Sequence, residues 1–187
     1  MFAPLIGATE AQAQQVGQAT NLRVVALQTP PSRRPIELLR FAPIFRGALL
    51  STSPRGALEV TFSDGSRVSM GGASNVIVDE YVYAGSGSAG QQSIRYAKGF
   101  FRFVSGTIPK DRVRLETPTV SVGIRGTVVR TVVDEDGTTT VGVDDGTVTV
   151  TSKQTGQSVT LNAGEKVTIK PAGEFGQVQL GKVEGCN

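Results

Sequence analysis

The stretch that decides the fold is Thr117-Pro118-Thr119-Val120-Ser121-Val122-Gly123-Ile124-Arg125-Gly126-Thr127. Val120, Val122 and Ile124 alternate with small or polar residues, the period of two that marks a half-buried β-strand. Beyond the glycines the parity changes. Val129, Thr131 and Val133 carry the pattern on odd numbers, with Arg130 and Val132 between them. One inserted residue does this, and a bulge at Gly126 is its natural place. The stretch therefore reads as one long strand, re-aimed between Gly123 and Gly126, with close packing at the two glycines. Arg125 is the charged residue inside it. Its five fixed donors suit it to pinning the bulge, with Glu116, Asp134 or Asp136 as acid partners; the other reading is that Arg125 meets a binding partner.

Outward from this stretch the chain reads as strands and turns. Downstream, glycines fall at 137, 146, 156, 164 and 173, each in a turn-like group such as Glu135-Asp136-Gly137 or Asp144-Asp145-Gly146. Hairpin turns of this kind need φ > 0, which glycine supplies without a Cβ clash. Upstream, Leu58, Val60 and Phe62 alternate, Asp64-Gly65 signals a hairpin, and Val68 with Met70 forms its return. Pro30, Pro31 and Pro35 keep the segment around them out of a central strand. Ile36 to Ala42 reads as a helical turn or a strand. Gly85 to Gly90 is low-complexity and reads as a hairpin tip. Tyr96, Phe100, Phe101 and Phe103 form either core packing or a sugar-stacking platform, and core packing is the commoner use of aromatics on an alternating strand. Short strands at this interval predict an all-β fold, an antiparallel jelly-roll-like β-sandwich with short hairpin turns and little helix.

The run TPTVSVGIRGT, followed by VVRTVVDEDGTTTVGVDDGTVTV and LNAGEKVTI, resembles the FecR domain family. The resemblance extends upstream through SPRGALEVTFSDGSRVSMGGASNVIVDEYVY and IRYAKGFFRFVSG, over roughly residues 45 to 170. Its signature residues here are Thr117, Pro118, Gly123, Ile124, Arg125, Gly126 and Thr127. The resemblance implies an all-β domain of the bacterial cell envelope. It implies either a stand-alone exported binder of an envelope component or the periplasmic sensing part of a sigma-factor and TonB-dependent receptor system.

Composition narrows the chemistry. The chain has no histidine, so histidine-based triads and histidine-ligated metal sites cannot be built. Most acids lie in D-G turns, where exposure keeps them ordinary; Asp134 to Asp136 with Asp144 and Asp145 lack the spacing of an EF-hand calcium loop. We expect no enzyme, no cofactor, no metal and no nucleic-acid partner. The net charge of +3 hides an uneven distribution. Arg95, Lys98, Arg102, Arg112 and Arg114 form a candidate basic patch for an anionic glycan or an envelope protein. The acidic run from Asp134 to Asp145 offers the other reading, that basic and acidic strands lie together and partly cancel.

The ends complete the expectation. Residues 1–15 read as the remainder of a signal peptide with cleavage after Ala11-x-Ala13, which places the chain in the periplasm or outside the cell. Residues 16–44 read as an N-terminal strand and proline-rich loop, 45–170 as the FecR-like domain and 171–187 as a flexible tail. No stretch has the ~18 continuous apolar residues of a membrane span. Cys186, the single cysteine, excludes an internal disulfide.

Overall fold

The computed structural model of the chain describes residues 14–83, 90–125 and 128–185. They form two nine-stranded sheets over one core. Sheet A runs in the order β4 (Pro43–Phe45), β1 (Gln15–Arg23), β6 (Ala57–Phe62), β7 (Arg67–Met70), the second half of β9 (Gln91–Val104), β12 (Val128–Val133), β13 (Thr139–Asp145), β16 (Glu165–Ile169) and β17 (Gln179–Leu180). Sheet B runs β3 (Ile36–Glu37), β2 (Ala26–Thr29), β5 (Leu49–Thr52), β8 (Asn75–Val82), the first half of β9, β10 (Val113–Glu116), β11 (Val120–Ile124), β14 (Thr147–Ser152) and β15 (Ser158–Asn162). The helix among the described residues is a single 3-10 turn, Lys110–Arg112. The expected all-β sandwich is what forms.

Hairpins alternate between the layers, and β9 belongs to both. Its residues up to Lys98 pair in sheet B, and those from Gly99 pair in sheet A. Gly99 makes the crossing possible. Its φ is +112°, and a Cβ there would lie 2.5 Å from Ser74 Cβ. The Ser74 hydroxyl then accepts the Phe100 N–H at 3.1 Å, which holds the kink. Inward parity changes across it, from Gln92, Ile94 and Tyr96 to Phe101 and Phe103. Residues 105–112 return the chain to sheet B, so β10 joins β9 in parallel while the other pairings are antiparallel.

The same crossing corrects the reading of the signature. It is two strands in two sheets, not one bent strand: β11 pairs with β10 and β14 in sheet B, and β12 with β9 and β13 in sheet A. An inserted residue and a change of sheet shift the parity alike, so periodicity could not separate them. Gly123 is not tightly packed either, since a Cβ there would meet only the Thr149 carbonyl, at 3.9 Å.

Of the two readings of Ile36 to Ala42 the strand is the one that forms, over two residues and followed by a turn. Two other expectations changed. Asp64, in its D-G turn, is buried rather than exposed. Its carboxylate accepts the Ser66 hydroxyl (2.6 Å) and N–H (3.2 Å) and the Tyr81 hydroxyl (3.2 Å). Burial, then the Asp64 charge, pushes the Tyr81 phenol well above its ordinary range. Residues 171–185, read as a flexible tail, pack on the fold: Phe175 bridges to Ile169, β17 adds to the edge of sheet A beside β16, and the end crosses its outer face, with Val183 buried over Gly142 and Gly185 against the Phe100 ring. The Gly85–Gly90 loop lies outside the described residues except for Gly90.

The core takes its largest side chains from both layers, including Tyr81, Tyr96, Phe103, Leu50 and Ile94. Tyr96 stacks on Phe101 at 4.1 Å between centroids. Tyr96, Phe101 and Phe103 are therefore core residues and form no sugar platform.

Candidate functional site

The signature has a structural half and an exposed half. Thr117 and Thr119 are buried beside Thr139. The Thr117 hydroxyl accepts the N–H groups of Thr119 (3.2 Å) and Val120 (3.0 Å) and closes the turn that Pro118 occupies. The Thr119 hydroxyl donates to Thr139 Oγ1 (2.7 Å), whose own proton goes to the Gly137 carbonyl (3.1 Å). Lys153 clamps the turn from β14's far end. Its ammonium donates to the Thr117 carbonyl and reaches Glu116, each at 2.7 Å, and its N–H donates to the Thr119 carbonyl at 2.9 Å.

The exposed half borders a cleft of about 260 Å³ on the outer face of sheet B. Strand register builds it. Arg114, Gly123 and Thr149 stand side by side in one row, and Glu116, Ser121 and Thr151 in the next. Gly123 has no side chain, so the floor between Arg114 and Thr149 is open. Arg125 closes one end and Asp111 lies on the rim. The Arg125 N–H donates to the Thr147 carbonyl at 2.9 Å, which fixes its backbone as β11 ends. Ile124 points the other way, into the core.

Arg125 does not pin a bulge. It is exposed, and among the described residues its guanidinium has no partner. The three acids proposed for it are otherwise placed: Glu116 is held by Lys153 and the Ser121 hydroxyl, and Asp134 offers no side-chain bond to it. Asp136 is held below the ordinary carboxylate range, first by the Thr138 N–H and then by the Thr138 hydroxyl. Arg114 is likewise exposed and unpartnered among the described residues. Two guanidiniums over a hydroxyl-lined floor can grip a carboxylate or another oxyanion through paired N–H donors.

The five patch residues do not share one surface. Because β9 changes sheets at Gly99, Arg95 and Arg102 face opposite sides of the molecule. Arg95 is paired with Asp79, and Lys98 with Glu135 at 3.2 Å. Arg112 is exposed on the 3-10 turn, and Arg114 stands in the cleft. Arg130 and Asp144 pair at 2.7 Å, so basic and acidic strands do partly cancel. Sequence reading missed the pairing of Arg114 with Arg125, and also Lys153 and Thr139. The outward parity of Arg114 was legible; its neighbour across the sheet was not. Ala11, Ala13, Gly126, Thr127 and Cys186 lie outside the described residues, and among those described no helix is long and apolar enough to cross a membrane.

The model of the FecR protein family matches residues 48–149, from β5 into β14 and through the whole signature. The chain belongs to the FecR family. Two crystal structures of a provisionally assigned anti-sigma factor from Parabacteroides distasonis, at 1.65 and 2.50 Å, share the fold with a TM-score of 0.56 and 17% identity. Each match covers 71% of this chain and 59% of that one. No curated protein sequence matches the chain. The FecR match ends inside β14, so Lys153, which clamps the signature turn, is supplied from beyond it.

Proposed function

We propose that this FecR-family chain is an exported, non-catalytic module of the bacterial cell envelope that acts in signalling by binding a protein partner through the Arg114–Arg125 cleft. The observation that carries this is the pair of unpartnered guanidiniums, Arg114 on β10 and Arg125 of the signature where β11 ends, over the floor that Gly123 leaves open. The partner presents an acidic group to them. Family membership supports a regulatory role, and the likeness to the provisionally assigned anti-sigma factor agrees with one. Export rests on the Ala11-x-Ala13 leader.

The test is genetic and structural together. Deleting the gene is expected to change transcription of a sigma-factor-dependent gene set. The wild-type chain restores it, and Arg114→Glu with Arg125→Glu, melting at the wild-type temperature, does not. Full restoration by that variant removes the cleft from recognition. An unchanged transcript profile on deletion removes the signalling role.

A further inference from the structure

On the opposite side of the molecule from the signature cleft, the outer face of sheet A carries a second, larger basic groove. Two clefts of about 630 and 530 Å³ share Asn21, Leu22 and Glu59 and so form one continuous depression. Arg23, Arg55 and Arg102 line its larger part. None of the three guanidiniums has a partner among the described residues. The acid between them, Glu59, is fixed by hydroxyl donors, Thr20 to one oxygen and Ser69 to the other, each at 3.2 Å. The register sets the length of the groove. Asn21, Glu59, Ser69 and Arg102 are successive cross-strand neighbours, so three strand spacings of about 4.8 Å put Asn21 about 14 Å from Arg102.

The other end of the groove holds an exposed aromatic ring. Phe41 is 59% exposed, and the Arg40 guanidinium lies 4.7 Å from its centroid while Arg40 Nε donates to the Thr20 carbonyl at 3.2 Å. The backbone there is strained for a residue with a side chain: Phe41 has φ +68°, and Val24, next to Arg23, has φ +61°. A β-branched or bulky residue in this region is an outlier, and such outliers gather at binding sites.

We infer that this groove binds an acidic oligosaccharide of the uronate type. The guanidiniums of Arg23, Arg55 and Arg102 take the carboxylates in bidentate fashion. Asn21 and Ser69 meet sugar hydroxyls, and the C–H face of a pyranose stacks on Phe41. An extended peptide is the poorer fit, because the backbone groups of these inner strands are already paired and offer it no ladder. The site stands apart from the signature cleft and does not depend on it.

Titration calorimetry of the whole chain with a galacturonate hexamer tests this. One-to-one binding that weakens as salt rises is expected. Arg23→Ser with Arg102→Ser should weaken it by about tenfold or more, and Phe41→Ser several-fold, both at an unchanged melting temperature. Arg114→Ser with Arg125→Ser should keep full affinity. Loss of binding in that last variant alone would move the glycan to the signature cleft and sink the assignment. Absence of binding at millimolar hexamer, equal binding of maltohexaose, or tighter binding of hexaglutamate would also overturn it.

Discussion

Tyr96 sets a phenol in the centre of the core, fully buried, and its hydroxyl has no hydrogen-bond partner among the described residues. Burial alone pushes its pKa far above the ordinary value. Its ring is stacked on Phe101, so the aromatic surface is used and the oxygen is not. Tyr96→Phe should therefore stabilise the fold by about 1 kcal/mol, the cost of an unsatisfied buried hydroxyl. The pH dependence has a definite sign. Above about pH 10 the unfolded chain loses the phenolic proton while the folded chain keeps it, so stability falls as pH rises there. The substitution should remove part of that alkaline loss; thermal melts at pH 8 to 11 would show it, and a lowered melt at pH 8 would refute the account. Arg125 is the opposite case. Exposed and unpartnered among the described residues, it should tolerate Arg125→Ala with no change in melting temperature. Lys153 is a structural residue at one remove from the signature. Lys153→Met leaves the Thr117 carbonyl without its ammonium donor and Glu116 with the Ser121 hydroxyl alone, and about 1 kcal/mol should go, since the lysine is partly exposed. An unchanged melt for Lys153→Met would mean that the threonine cluster holds the turn alone.

At the scale of elements, β9 is the strand on which both sheets depend. Gly99→Ala puts a methyl group into Ser74 and asks alanine to adopt φ +112°. The loss should be on the order of 3 kcal/mol or more, read as a large drop in melting temperature or as insoluble protein. Gly123→Ala is the control. It has room, since its Cβ meets one carbonyl at contact distance, and it should fold normally while narrowing the cleft floor. Both are glycines in strands, and the sequence shows no difference between them. The turn glycines were legible because their neighbours are turn formers: Gly137, Gly146, Gly156, Gly164 and Gly173 all have positive φ, as the D-G and N-A-G groups required. The alternation of strands was equally legible. Which sheet each strand joined was not, because the period of two fixes the buried face of a strand and says nothing of its neighbour.

At the scale of the whole molecule, the last segment closes the outer face of sheet A. Val183 is 6% exposed, and Phe175 packs against the core. Removing residues 171–187 should cost at least about 2 kcal/mol, the burial of the Val183 side chain with that of Phe175 adding to it, measured as a lowered urea midpoint of the truncated chain. No change in the midpoint would show that the segment lies on the sheet without supporting it. Sequence by itself determined the all-β class, the buried face of most strands, the turn positions and the absence of histidine chemistry, since each follows from local period, glycine freedom or side-chain inventory. Tertiary structure decided which charges meet. Arg95 and Arg102 are seven positions apart and face opposite solvents, while Arg114 and Arg125 are eleven apart and share a cleft. The physical reason is that cross-strand neighbours are chosen by pairing between distant segments, and a single kink at Gly99, imposed by its fit against Ser74, moves the second half of β9 into the other sheet and reverses the face its side chains present.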